Sequence, residues 1–118
     1  MALSFLDLAR EEAAEGYQAT DEARIRDAAE RAWLAALHGI DHAMSRRGLI
    51  PEPGPMAQAS RHSFLEAAGR HDLSEELLVF ADWLHERIFN FGTIPDRAEM
   101  ELLIDEVGRF VRTLSPEG

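Results

Sequence analysis

The chain has 118 residues, no Cys, and 22 acidic against 12 basic residues, for a formal charge of −10. That length suits one domain burying roughly two-thirds of its unfolded surface. Without Cys, disulfides and thiolate chemistry are excluded, and any metal would take His and carboxylate ligands.

The opening "MALSFLDLAREEAAEG" has neither a basic leader region nor an unbroken apolar run, so it is not read as a signal peptide. Ser4 with Asp7 resembles a capping box, and Phe5, Leu8, Ala9, Ala13 and Tyr17 form a helical stripe, which predicts a first helix from about Phe5 to Ala19. Thr20 is the expected N-cap of a long second helix, about Asp21 to Arg47, with Asp21 and Glu22 set against the positive end of its dipole. Its core stripe is Ile25, Ala29, Ala32, Trp33, Ala36, Ile40, Ala43 and Met44; Arg46 and Arg47 suit its negative end, and Gly48 is placed to end it in the left-handed conformation.

"LIPEPGP" cannot continue a helix and reads as an ordered loop. A short third helix is expected from Ser60 or Ser63 to Gly69. A fourth is capped by Ser74, with Leu77, Phe80, Ala81, Leu84, Ile88 and Phe91 as its stripe and Gly92 as its end. After "GTIPD", a fifth runs from about Asp96 to Leu114 on Met100, Leu103, Val107, Phe110 and Val111. No stretch alternates like a strand and none approaches the roughly 20 apolar residues of a membrane span. The expectation is a single all-α domain over residues 1–118, a compact up-and-down bundle of four to five helices, located in the cytoplasm.

Three groups of residues carry potential chemistry. In "LAALHGIDHAMSRR", His38 and His42 are one turn apart, and Arg31 lies two turns before His38. The plain reading is a solvated polar face; the sharper ones are an interface or ligand patch, or half of a metal site lacking its third ligand. In "DWLHE", Asp82 and His85 have the carboxylate-x-x-His spacing of di-iron bundles, but only one copy is present. A hydrogen-bonded His at the core edge is the plainer reading. Trp83 falls on the outer side of its helix, where it would cover a partner surface or the Pro-rich loop. Arg61 and His62, with Arg70 and His71, bracket the short third helix and could hold an anion at a helix N-terminus. There is no Gly-rich phosphate loop and no nucleophile elbow, and no cofactor is expected.

The Ala/Trp pattern over Ala29 to Ala36, the Arg47–Gly48 turn, His62 in "SRHSFLEAA", and Ala81 to Phe89 in "FADWLHERIF" resemble the small helical proteins of the HEPN superfamily, closest to the Pyrobaculum-repeat (PaREP-like) branch. The resemblance covers most of the chain after Thr20. It implies a HEPN-like bundle that forms a homodimer. Catalytic members of that superfamily are metal-independent endoribonucleases that place an Arg a turn or two before a His on a late helix. Here the late candidate is His85, and Leu78, Val79 and Phe80 stand where the Arg should be. Arg31 and His38 match the spacing, with six residues between them, but they lie on the second helix. The expected function is therefore a non-catalytic HEPN-like module that binds a protein partner or small ligand. The alternative is an RNA-directed or metal-assisted hydrolase using Arg31, His38 and His42. A negative field that repels phosphate backbones favours the first.

Overall fold

The computed structural model describes residues 2–115 and is helical almost throughout. In chain order the elements are α1 (Ala2–Ala19), α2 (Glu22–Ser45), a single 3₁₀ turn (Gly54–Met56), α3 (Ala57–Ala67), α4 (His71–Phe80), a π-helical segment (Ala81–Asn90) and α5 (Arg97–Leu114). No described helix is long and apolar enough to cross a membrane. The Cα radius of gyration, 14.1 Å, is close to the roughly 13.5 Å of a compact chain this long.

α2 is the centre of the bundle. Ile25, Ala29, Ala32, Trp33, Ala36, Ile40, Ala43 and Met44 are all buried, as the stripe predicts. Ala28, Ala35 and Gly39 are buried as well. A one-sided stripe understates this helix, because α1, α5 and the π segment all pack on it. Small residues on its flanks let those neighbours approach: a Cβ on Gly39 would sit 3.1 Å from Val111 Cγ2. Around α2 the core is closed by Leu6, Leu65, Leu77, Phe80, Leu84, Ile88, Met100, Ile104, Val107 and Phe110. The Phe80 and Phe110 rings meet edge-on at 5.4 Å.

Several expected boundaries move, each for a local reason. α1 begins before Ser4, so Ser4 and Asp7 lie inside the helix and form no cap. Leu6 is buried while Leu8 is half exposed. Thr20 does not cap α2. It has φ 53°, the left-handed residue that ends α1, and Asp21 N–H closes that turn by donating to the Gly16 carbonyl at 2.8 Å. The N-cap is Asp21, whose carboxylate accepts from the Arg24 N–H. Gly48 does end α2 with positive φ, through paired bonds from Leu49 N–H to the Met44 carbonyl and from Gly48 N–H to that of Ser45.

α3 starts at Ala57, earlier than Ser60 or Ser63. Ser60 instead accepts from the Glu52 N–H and donates to the Ala57 carbonyl, pinning the proline loop to the helix. α4 starts at His71, so Ser74 is an interior, buried residue. Phe91 leaves the expected stripe and is exposed. Asp96, the expected start of the fifth helix, is its N-cap and accepts from Glu99 N–H at 2.9 Å.

Candidate functional site

The opening candidates sit on α2 but have separate surroundings. Arg31 Nε donates to Glu12 Oε1 of α1 at 2.7 Å and lies 3.4 Å from Asp27 Oδ2 one turn back. The Glu12 hydrogen bond raises the guanidinium pKa. The Glu12 carboxyl is itself pushed up, by burial first and then by Asp27, despite Arg31. Both shifts hold together because two carboxylates share one guanidinium. The charge that an RNA phosphate would seek is already neutralised.

His38, about 10 Å further along the helix axis, stacks on Phe5 of α1 with ring centroids 4.8 Å apart and planes 10° apart. His42 is exposed, and Asp41 between them turns away to Arg61. Among the described residues no group of three His, Asp or Glu side chains is placed to hold a metal ion.

The "DWLHE" residues also separate. Their segment is π-helical, so residues five apart, and not three or four, align along it. Asp82 accordingly pairs with Arg87, at 3.1 Å, five positions on. His85 faces the other way: its Nδ1 lies 2.8 Å from Glu30 Oε1 of α2, and its ring stacks between Trp33 and Phe89. The carboxylate-x-x-His pairing is thus absent, and His85 is a hydrogen-bonded imidazole at the core edge. The π segment ends with Phe91 N–H donating back to Glu86, and Arg26 of α2 bonds the loose carbonyls of Phe89 and Asn90 at 2.7–3.1 Å.

Trp83 is half-buried beneath Arg87, whose guanidinium lies 4.6 Å from the indole centroid. It lines a groove of ≈ 190 Å³ with Val79, Pro95, Leu102 and Leu103, rimmed by Glu99 and Glu106. The proline here is that of "GTIPD"; none of the "LIPEPGP" prolines takes part. Val79 is 47% exposed and Leu102 55%, on the outer faces of α4 and α5. Sequence reading found Trp83 but missed Val79 and Leu102, which sit off the apolar stripes of their own helices. The signal was present: both are apolar where the helical period asks for a polar residue.

Arg61 and His62 leave α3 in different directions. Arg61 forks onto Asp41, with Nε–Oδ1 at 2.7 Å and Nη2–Oδ2 at 2.9 Å, and also bonds Gln58. His62 Nδ1 lies 2.8 Å from Ser74 Oγ of α4, and burial pushes its imidazole pKa down. Nearby, Arg70 pairs with Asp72, holding that carboxyl at about 2. His71 sits between Glu66 and Glu75 and is shifted up, chiefly by its hydrogen bond to Glu66. Arg61 and His62 therefore do not converge on one anion position.

A second cleft, ≈ 260 Å³, opens between α1 and α5 beside Arg10, Tyr17, Arg97, Glu101 and Asp105. Its charges pair with one another, Arg97 with Glu101 at 3.0 Å and Arg10 with Asp105 at 3.6 Å. Tyr17 Oη donates to the Pro95 carbonyl at 2.6 Å; burial, then Asp96 and Glu99, push its pKa to about 12. This hydroxyl fastens the turn before α5 and is no acid–base group near neutral pH. Comparison with protein-family models, with curated proteins and with solved structures finds no match to the chain.

Proposed function

We propose that this chain is a non-catalytic, HEPN-like binding module that works as a homodimer, with the groove of Val79, Trp83, Leu102 and Leu103 as its docking face. The observation that carries the reading is that groove itself, a half-buried indole and two exposed aliphatic side chains on a strongly charged surface. Exposed apolar patches rimmed by polar groups are the usual mark of protein contact, and Trp is among the side chains that dominate interface energetics. The polar candidates support it from the other side. Arg31, Arg61, His62 and His85 each have an internal partner, and among the described residues these candidates do not converge on one position.

The test is mass in solution at tens of micromolar by size-exclusion chromatography with light scattering. A dimer has twice the 13.2 kDa chain mass, and Leu102→Glu returns it to the monomer with unchanged circular dichroism. A wild-type monomer overturns the dimer.

One observation favours a second reading, in which the groove takes a different protein with basic flanks. Glu99 and Glu106 rim the groove, so a partner seated there meets carboxylates at its edge. Salt separates the two. Self-association of chains bearing −10 each strengthens as salt screens repulsion, while docking of a basic partner weakens. A hydrolase built on Arg31, His38 and His42 predicts cleavage of single-stranded RNA that Arg31→Ala abolishes; the proposed module shows none.

A further inference from the structure

At the opposite end of α5 from the Trp83 groove, the C-terminal ends of α2, α3 and α5 meet around another cleft, ≈ 270 Å³ in volume. Arg46, Arg47 and Arg70 line it over an apolar floor of Phe64, Leu65 and Leu73, and among the described residues no Asp or Glu lines it. Arg70 is paired with Asp72. Arg46 donates to the Leu114 carbonyl, and the Arg47 guanidinium lies 5.8 Å from the Phe64 ring centroid. Among the described residues neither Arg46 nor Arg47 has a carboxylate partner, a property shared with Arg26, which is spent on backbone carbonyls, and with Arg112, whereas Arg10, Arg24, Arg31, Arg61, Arg87, Arg97 and Arg109 all have one.

Capping explains part of this. Each helix C-terminus carries roughly half a negative charge, and arginines are well placed against such ends. Among the described residues, three guanidiniums and the positive start of α4, set against three helix ends and Asp72, still leave about one positive charge. That surplus sits in a chain of formal charge −10. A guanidinium presents five donors, and Arg46 commits only one group of them to Leu114.

We propose that this cleft binds a small phosphate monoester with an apolar or aromatic body. Arg46 and Arg47 take the phosphate oxygens, for which the planar guanidinium fork is suited. Phe64, Leu65 and Leu73 take the body. A volume just under the roughly 300 Å³ at which ligand pockets usually begin restricts the occupant to a single small ring or short aliphatic group. The site does not depend on the docking face proposed above, being built from other residues.

Calorimetric titration of the full chain with phenyl phosphate, inorganic phosphate and phenol at low salt tests it. Phenyl phosphate is expected to saturate one site, inorganic phosphate to bind at least about tenfold more weakly, and phenol not to bind. Arg47→Gln, at an exposed side chain, is expected to weaken phenyl phosphate at least about tenfold while helicity is unchanged. Arg46→Gln removes a backbone contact as well, so its thermal midpoint is measured alongside. No saturation by phenyl phosphate, equal binding of inorganic phosphate, or undiminished binding by Arg47→Gln overturns the proposal.

Discussion

Thr20 adopts φ 53° to end α1 and turn the chain into α2. A β-branched side chain is strained in that conformation, by about 1–2 kcal/mol in general, whereas Gly adopts it freely. Thr20→Gly is therefore expected to stabilise the fold by about 0.5–1 kcal/mol, after the extra freedom Gly gives the unfolded chain. Urea denaturation reads this directly, and a destabilised variant would show that the turn is not strained. His62 offers a second test. Burial lowers its folded-state pKa, Glu66 opposing, so the unfolded chain holds the proton more readily. Its contribution is intact above the unfolded value of about 6.5 and is lost as pH falls toward the folded value. The stability difference between wild type and His62→Gln should shrink from pH 7.5 to 5.5; a constant difference contradicts the assignment. His71, shifted up by Glu66 and Glu75, works in the opposite direction but is common to both proteins and cancels. Residue types alone did not reveal these roles. Thr20 and Ser74 are good N-cap residues, and tertiary structure uses one to end a helix and the other to meet His62.

Helix pairing rests on close approach at a few small residues. In the α1–α2 hairpin, a Cβ on Gly16 would lie 2.9 Å from Ile25 Cγ1 and 3.1 Å from the Ile25 backbone nitrogen. Backbone cannot yield as a side-chain tip can. Gly16→Ala is thus expected to destabilise by about 1–3 kcal/mol, outweighing a helix-propensity gain of up to about 1 kcal/mol. A thermal midpoint at or above wild type would show that the hairpin has room to open. At this scale the sequence was informative about α2 and α5, whose apolar periods are long, with Gly48 ending the first and Asp96 starting the second. It was misleading for the segment from Ala81 to Asn90. Sequence periodicity assumes 3.6 residues per turn, and nothing in "ADWLHERIFN" announces the wider π turn. That is why Asp82 and His85 looked like neighbours, while Asp82 joins Arg87 and His85 joins Glu30.

For the whole molecule, the apolar count and helical periods were enough to specify an all-α bundle around α2, and the negative charge was legible at once. The docking face was only half legible. Trp83 stood out, but Val79 and Leu102 became one surface with it only when α4, the π segment and α5 packed together. The same holds for Arg46, Arg47 and Arg70, which belong to two separate stretches of chain and share a cleft only in three dimensions. The proposed dimer places two chains of −10 against each other, so its contact must be apolar and its affinity should rise with ionic strength. The most direct measurement is light scattering of the wild type and Leu102→Glu at tens of micromolar, in low and high salt. The proposed dimer predicts a particle of twice 13.2 kDa for the wild type, more complete in high salt, and a folded monomer for Leu102→Glu. A wild-type particle of 13.2 kDa at every salt concentration, or a variant that stays dimeric, would contradict it.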